Sequence, residues 1–194
     1  LPLDSACEYG VIFEIMSSLK KKGIIRAIGI STRSTIEDLI AIEDLDFDMI
    51  QLNFNLVDQR IIENGILEKC DDQGIAIFAR TPLCFGLLTG NYTTHQNFHA
   101  NDHRSKWSES QIRIWATAFS LFGDKIPDYG EQTNSQIALR FCLSFPEITS
   151  VITGMLTPDH VKENVKSSKL GTLPSETIES FFKIYQSQRF YISH

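Results

Sequence analysis

The sequence has no long hydrophobic run and no surplus of positive charge. Its apolar stretches are too short to cross a bilayer, so we expect no membrane partner. The chain carries 18 lysines and arginines against 24 aspartates and glutamates, which gives a formal net charge of −6. Because nucleic-acid binding depends on a surplus of cations that face the phosphates, we expect no nucleic-acid partner.

Cysteine is also scarce. The four cysteines, Cys7, Cys70, Cys84 and Cys142, are widely spaced and form no Cys-x-x-Cys pair. This spacing argues against a disulfide framework and a zinc ribbon, and it favours reduced, buried thiols in a cytoplasmic protein. Hydrophobic residues make up 42 % of the chain, which is enough apolar surface to exclude a disordered protein.

Short apolar runs alternate with amphipathic segments along the chain. Because the runs show no clean alternation of apolar and polar residues, they predict parallel strands that are buried on both faces. The predicted strands cover residues 25–30, 49–52, 75–79 and 148–152. Strands that alternate with helices predict right-handed crossovers and therefore an α/β fold.

We predict one partial domain over residues 1–194. It begins with a helix over 9–22, continues with β/α units over 25–45, 48–73, 75–144 and 148–166, and ends with a helix over 175–185. Helices are expected over 36–45, 61–73, 109–122, 133–144 and 158–166, with N-caps near Ser34 and at Thr157. The third unit contains an insertion at 91–122, whose polar first part, 91–108, is a candidate for substrate contacts.

Polar residues stand where the predicted strands end. Ser31, Gln51, Asn53 and Arg80 all occupy such positions. Ligands of parallel α/β folds bind at the carboxyl edge of the sheet, where these side chains would meet. The first three offer neutral groups of the kind that hold a carboxamide. Arg80 offers a flat cation that can stack on a ring or meet a phosphate.

The segment from Gly154 to Pro158 leads from the last strand into a helix. Backbone N–H groups at a helix N-terminus form an anion site, and a glycine allows a phosphate to approach closely. Glu163 and Asn164 follow on that helix and could reach a sugar or base attached to the phosphate. An ordinary capped helix is the competing interpretation.

Several sequence blocks together resemble the aldo-keto reductase family, and most closely its bacterial-type branch with an arginine beside the nicotinamide. The blocks occur in the family's order and spacing and span about residues 9–180. They are GIIRAIGIS at 23–31, IQLNFN at 50–55, ARTPL at 79–83, GLLTG at 86–90, QIALRF at 136–141, TGMLTP at 153–158 and EN at 163–164.

The resemblance implies a (β/α)8 TIM barrel, of which this chain is similar to the C-terminal half with about four parallel β/α units. It also implies an oxidoreductase that uses NADP or NAD and passes hydride between the cofactor and a small carbonyl or alcohol. By the same resemblance, the cofactor contacts are Ser31, Thr32, Gln51, Arg80, Thr81, Pro82, Leu83, Gly86, Gly154, Met155, Leu156, Thr157, His160, Glu163 and Asn164.

The resemblance assigns these residues to successive parts of the dinucleotide, from the nicotinamide to the adenine. Ser31 and Gln51 would hold the nicotinamide carboxamide, with Arg80 beside the ring and Thr32 where many members carry asparagine. Thr81, Leu83 and Gly86 would lie along the pyrophosphate. The adenosine phosphates would meet residues 154–157, and the adenine would meet Glu163 and Asn164.

The resemblance assigns no catalytic residue to this chain. The family's catalytic Asp, Tyr, Lys and His belong to the other half of the barrel, and no tyrosine here matches the proton donor. The tyrosines are Tyr9, Tyr92, Tyr129, Tyr185 and Tyr191. We therefore expect the chain alone to be inactive. Met155, Leu156 and His160 replace the basic residues typical of NADP-preferring members, with Lys162 as the nearest cation, so the choice between NAD and NADP stays open.

Four β/α units are too few to close a barrel. We therefore expect the chain to be unstable alone, and to pair with an N-terminal half or with itself. Two further hypotheses are a non-catalytic dinucleotide-binding or assembly module and another phosphate-binding barrel enzyme. No metal site is predicted, because His95, His99 and His103 lie among loop-forming residues despite their helical spacing.

Overall fold

Four parallel strands form one sheet in the computed structural model, which describes residues 10–92, 96–126, 130 and 132–192. The strands follow each other in chain order across the sheet, as β1-β2-β3-β4. They are β1 (Gly29–Ser31), β2 (Met49–Asn53), β3 (Ala76–Arg80) and β4 (Ile148–Ile152). The predicted α/β class with a parallel sheet is confirmed.

The register of the sheet brings the carboxyl ends of the strands to one edge. Ser31 pairs with Gln51, and Asn53 pairs with Arg80. Arg80 in turn pairs with Ile152 at the end of β4. A bulge between Ile77 and Phe78 shifts the register of β3 against β4.

Helices connect these strands and flank them at both ends of the chain. Their bounds are α1 Gly10–Lys21, α2 Thr35–Asp44, α3 Arg60–Glu63, α4 Ile66–Asp72, α5 Glu109–Gly123, α6 Asn134–Leu143, α7 Pro158–Lys169 and α8 Ser175–Ser187. Short 3-10 helices cover Cys84–Thr89 and His103–Lys106. None of the helices in the described part of the chain has the length and hydropathy that a bilayer span requires.

Two predicted boundaries were wrong. The helix expected over 61–73 is broken into α3 and α4, because Gly65 between them adopts a left-handed conformation with φ 66°. The first strand is much shorter than predicted. The Ile28 N–H donates to the Asp48 carboxylate at 2.7 Å, so strand pairing begins only at Gly29.

The prediction that the strands are buried on both faces was also wrong. Ile50, Leu52, Ile77 and Ala79 are at most 1 % exposed, because they face the helices. Residues that alternate with them, such as Gln51 and Phe78, are only half-buried. Within the described chain, the helices therefore cover one face of the sheet and leave the other partly open.

Aromatic side chains pack the helices onto the closed face. Phe54, which follows β2, lies 5.2 Å from Phe141 of α6 and 5.1 Å from Phe145, measured between ring centroids. Gln111 on α5 donates through Nε2 to the Phe190 carbonyl and accepts from the Ile192 N–H, at 2.7 and 2.8 Å. These contacts attach the segment after α8 to the core.

Candidate functional site

A pocket of about 480 Å³ opens at the carboxyl edge of the sheet. Its walls are the segment after β3, part of the insertion and the turn between β4 and α7. We name it the edge pocket. Nine residues predicted from the sequence line it, namely Thr81, Pro82, Leu83, Gly86, Gly154, Leu156, His160, Glu163 and Asn164.

Four other predicted residues form a second group beside this pocket, which we name the strand-end cluster: Ser31, Thr32, Gln51 and Arg80. Ser31 and Gln51 are paired, half-buried neighbours in the sheet. Arg80 Nη2 donates to the Thr32 carbonyl at 2.6 Å. Thr32 itself is only 1 % exposed, so its side chain belongs to the interior of the cluster.

The remaining two predicted residues lie on the turn before α7. Met155 is 52 % exposed and lies outside the lining of the edge pocket. Thr157 is the N-cap of α7, and its hydroxyl accepts from the His160 N–H at 3.2 Å. The predicted cap at Thr157 is confirmed, and Pro158 occupies the first turn of the helix, where its missing N–H is tolerated.

The segment after β3 is backbone-strained. Thr81, Cys84 and Phe85 have positive φ values of 55°, 45° and 58°, which residues other than glycine rarely adopt. The Thr81 hydroxyl lies 3.0 Å from Asn53 Oδ1, and Asn55 Nδ2 donates to the Thr81 carbonyl at 3.0 Å. Strain of this kind concentrates at functional sites, where the surrounding structure maintains it.

Arg104 anchors the insertion against this strained segment. Its guanidinium donates from Nη1 to the Tyr92 hydroxyl at 2.6 Å and to the Phe85 carbonyl at 3.3 Å. It also lies 4.2 Å from the centroid of the Phe98 ring. Asp102 accepts two further bonds, from Nε at 2.9 Å and Nη2 at 2.6 Å, which lower the pKa of its carboxyl.

Hydrogen bonds also tie the turn before α7 to the helix. The Leu156 N–H donates to His160 Nδ1, and Asn164 Nδ2 donates to the Gly154 carbonyl, both at 3.3 Å. The Glu163 carboxylate accepts from the Thr133 hydroxyl at 2.5 Å and so connects α7 to α6. The helix N-terminus therefore faces the pocket in a fixed orientation, where its dipole favours an anion.

The sequence analysis missed half of the pocket lining. The missed residues are Phe85, Thr89, Asn91, Tyr92, His103, Arg104, Ser135, Ile152 and Thr153. Thr153 and Ile152 adjoin the Gly154 turn and could have been included on that ground. Tyr92, His103 and Arg104 belong to the polar insertion, in which no sequence pattern shows which residues fold back onto Gly86.

The edge pocket combines cationic and hydrogen-bonding groups with apolar walls. Arg104 and the N-terminus of α7 provide positive potential, and His103, His160, Glu163 and Asn164 provide hydrogen-bonding groups. Among its described lining residues, Thr153 Oγ1 is buried without a hydrogen-bond partner. A ligand with phosphates and sugar hydroxyls fits these groups, because it would supply the missing acceptors and donors.

The cysteines are buried in the core, and the predicted absence of a histidine metal site concerns the insertion. Cys70, Cys84 and Cys142 are free and buried, as predicted, and burial raises the pKa of the Cys70 thiol to about 12. Cys7 lies outside the described residues. His103 starts a short 3-10 helix and His99 precedes it in an irregular segment, so they do not share a helix face; His95 lies outside the described residues.

The chain belongs to the aldo/keto reductase family, whose sequence pattern matches residues 4–186. It is 28 % identical over 161 residues to the NADH-specific methylglyoxal reductase of Escherichia coli K12, which covers 78 % of this chain and 46 % of that protein. It is 29 % identical over 155 residues to the aldo-keto reductase YhdN of Bacillus subtilis, at 77 % and 46 % coverage.

Solved structures support the fold. The glycerol dehydrogenase AKR11B4 of Gluconobacter oxydans superposes with a TM-score of 0.73 at 24 % identity, over 92 % of this chain and 54 % of that one. The aldo-keto reductase AKR11C1 of Bacillus halodurans gives 0.62 at 20 % identity, over 89 % and 54 %. The chain thus spans about half the length of these relatives, which confirms the predicted C-terminal half of a TIM barrel.

Proposed function

We propose that this chain is the cofactor-binding half of an NAD(P)-dependent aldo-keto reductase, which reduces a small carbonyl or oxidises an alcohol. The observation that carries the proposal is the edge pocket, whose lining includes nine of the cofactor contacts that the family resemblance implies. The bound nicotinamide would supply the hydride. The residues of this chain would bind the dinucleotide and orient it.

The two groups of residues divide this task. The N-terminus of α7 and Gly154 would hold the adenosine phosphates, with Glu163 and Asn164 toward the adenosine. Thr81 and Gly86 would lie along the pyrophosphate. Ser31 and Gln51 would bind the carboxamide of the nicotinamide, and Arg80 would lie beside the ring. The dinucleotide would therefore run from the edge pocket to the strand-end cluster.

The acid–base chemistry would come from elsewhere. In this proposal, the proton donor and its partners lie in the other half of the barrel, so this chain alone has no reductase activity. The partly open face of the sheet, with Gln51 and Phe78, is the surface on which pairing with that half or with a second copy would occur. Pairing and a cytoplasmic location are predictions.

Cofactor binding is the direct test. The chain's two tryptophans, Trp107 and Trp115, lie 4.9 Å apart and both contact Phe85, which lines the edge pocket. We expect NADH to quench their fluorescence saturably through energy transfer. Arg80→Ala should weaken binding about tenfold, since a charge-assisted contact is lost. Arg113→Ala, an exposed arginine on α5, is the matched control.

Gln51→Ala should also weaken NADH binding, with the exposed Gln73→Ala as its control. Unchanged affinity in both Arg80→Ala and Gln51→Ala would contradict the assignment. Parallel titrations with NADH and NADPH decide the cofactor preference. Binding of a simple sugar phosphate without either nucleotide would support a different phosphate-binding barrel enzyme.

A non-catalytic dinucleotide-binding or assembly module is the second candidate. Its specific support is a 25 % identical match over 122 residues to a protein of Arabidopsis thaliana named a probable voltage-gated potassium channel subunit beta. The two functions differ in one measurement. NADH binding by the chain alone is common to both candidates. NADH oxidation with methylglyoxal after the other half of the barrel is added would eliminate the non-catalytic candidate, and its absence would favour it.

A further inference from the structure

One wall of the edge pocket is rich in hydrogen-bond acceptors. Glu163 and Asn164 of α7 form this wall, and both are half-buried. Asn164 Nδ2 donates to the Gly154 carbonyl at 3.3 Å, so the amide oxygen Oδ1 is left as an acceptor for a ligand. The Glu163 carboxylate adds two further acceptor oxygens. We name Glu163 and Asn164 the acceptor wall.

The α6 helix holds the Glu163 side chain in place. Thr133, the N-cap of α6, donates from its hydroxyl to Glu163 Oε1 at 2.5 Å, which leaves Oε2 for a ligand. Thr133 is itself fixed by a capping box with Gln136, and Gln136 Nε2 donates to the Glu163 carbonyl at 3.5 Å. The carboxylate therefore has a defined position at the acceptor wall.

The cations near the pocket are already paired. Among its described lining residues, Arg104 is the only lysine or arginine. All three of its guanidinium nitrogens are engaged in hydrogen bonds, and the Asp102 carboxylate balances its charge at 2.6 Å. Lys162 of α7 lies outside the lining, and its Nζ pairs with the Asp159 carboxylate at 3.0 Å. An additional phosphate would therefore find no uncommitted lysine or arginine in the described lining.

The turn before α7 also has few groups left for an additional anion. His160 Nδ1 accepts from the Leu156 N–H at 3.3 Å, so the ring carries its proton on Nε2 and is uncharged while this bond is made. Pro158 has no N–H, and the His160 N–H donates to the Thr157 hydroxyl at 3.2 Å. In the proposed function, the remaining groups of the turn serve the phosphates that NAD and NADP share.

We propose that the edge pocket accepts NAD(H) and rejects NADP(H), and that the Glu163 carboxylate sets this preference. The inference rests on the proposed function, because that function places the adenosine in this pocket. NADP carries an additional phosphate on the adenosine ribose, with about two negative charges and only acceptor oxygens. This phosphate would face the acceptor wall. The ribose hydroxyl of NAD is also a donor, so it can bond to the Glu163 carboxylate.

The test titrates this chain with two ligands that differ only in the 2′-phosphate. They are ADP-ribose, which lacks only the nicotinamide of NAD+, and 2′-phospho-ADP-ribose. At low salt, we expect calorimetry to show that ADP-ribose binds about tenfold more tightly, because a carboxylate a few ångströms away opposes the added charge. Salt screens this repulsion, so the affinity ratio should decrease as the NaCl concentration rises.

Glu163→Gln removes the charge and keeps the shape, and its amide oxygen can still accept from Thr133. We expect the affinity for 2′-phospho-ADP-ribose to rise about five- to tenfold relative to that for ADP-ribose. Glu163→Asp, which keeps the charge, should keep the preference for ADP-ribose. Glu176→Gln, an exposed acid on α8, is the matched control and should leave the ratio unchanged.

Equal or tighter binding of 2′-phospho-ADP-ribose by the wild type would overturn the selectivity and leave the proposed function standing. An unchanged ratio in Glu163→Gln, or a ratio that rises with salt, would overturn the role of the carboxylate. If the wild type binds neither ligand, the proposed function fails as well. Should Glu163→Gln not fold, the salt series on the wild-type chain decides.

Discussion

The edge pocket and the strand-end cluster lie side by side but are built in different ways. The edge pocket is made of loops and a helix N-terminus. It is maintained by strained backbone at Thr81 and Phe85 and by the side-chain contacts of Arg104. The strand-end cluster is made of paired strands, and its register is set by the sheet, which pairs Ser31 with Gln51 and Asn53 with Arg80.

Because of this difference, substitutions in the two regions should change ligand binding by different routes. Loop contacts depend on individual side chains, so a substitution in the edge pocket should affect binding through the local shape of the site. The strand-end cluster depends on the sheet, so its orientation should change only through buried groups such as Thr32 and Asp38. The following predictions test that separation, from the largest expected effect to the smallest.

Gly86→Val should have the largest effect on the edge pocket. Gly86 has φ 88°, and an added Cβ would lie 3.3 Å from the Tyr92 ring and 3.8 Å from Arg104 Nη1. We expect a loss of about 2–3 kcal/mol in the free energy of unfolding and a loss of NAD+ and ADP-ribose binding alike. Chemical denaturation and calorimetry measure the two effects.

Gly171→Ala is the matched control, because Gly171 has φ 74° with open space around its Cβ position. It should lower stability through the same backbone strain and leave both ligands bound normally. Equal loss of binding in the two variants would show that general destabilisation, and not the shape of the edge pocket, controls affinity.

Asp38→Asn should stabilise the protein above pH 6. The carboxyl has a pKa of about 6 in the folded chain and an ordinary value of 3.8. Because the folded state binds the proton more tightly, wild-type stability falls as the pH rises from about 4 to 6 and stays lower above that range. We expect the variant to gain about 3 kcal/mol at pH 8 and nothing near pH 4.

Denaturant unfolding at several pH values measures this gain. The exposed Asp44→Asn on α2 should show no such pH-dependent gain and serves as control. If Asp38→Asn is less stable than the wild type at pH 8, the ionised Asp38 carboxylate stabilises the folded state, and the expected cost of burying its charge is wrong.

Arg104→Ala should loosen the insertion and leave the sheet unchanged. The variant loses the bonds to Tyr92 and Phe85 and leaves Asp102 without its partner. We expect a cost of about 1–2 kcal/mol and similar weakening of NAD+ and ADP-ribose. Limited proteolysis should cut the insertion faster. Selective weakening of NAD+ alone would contradict the separation of the two regions.

Leu156→Lys should have the smallest effect. Leu156 is 90 % exposed at the margin of the edge pocket, so a lysine there meets no steric obstacle. We expect a gain of under about 1 kcal/mol in NADP+ affinity, reduced by salt, and no change for NAD+. Leu156→Gln, of similar length without charge, is the control. An equal gain for NAD+ would place the added charge near the pyrophosphate instead.

The sequence predicted the elements that depend on local chemistry. The N-caps at Ser34 and Thr157 and the order of strands and helices follow from side-chain type and hydrophobic spacing, and the structure has them. The helix over 61–73 failed because Gly65 was not recognised as a left-handed break. This boundary also depends on local chemistry, because a glycine within a predicted helix is itself an indication of a break.

The candidate site could be predicted where its residues adjoin strand ends or belong to the blocks that resemble the family, as Glu163 and Asn164 do. Gly154 was found because parallel strands present their carboxyl ends at one edge, whereas Thr81 was assigned by the family resemblance. Arg104 was not found, because its contacts with Tyr92 and Phe85 depend on how a polar insertion folds back over the pocket. No periodic pattern in such a segment encodes that closure.

The sequence by itself determined the parallel α/β fold and the polar character of its carboxyl edge, because periodicity and turn chemistry act between near neighbours. The half-barrel was implied only by the resemblance to the family. Only the tertiary structure decided which face of the sheet is covered, since Ile50 and Gln51 alternate by one residue but face different surroundings. It also decided that Thr32 is interior and Arg104 lines the pocket. Both outcomes depend on packing between segments distant in the chain, which local propensity does not specify.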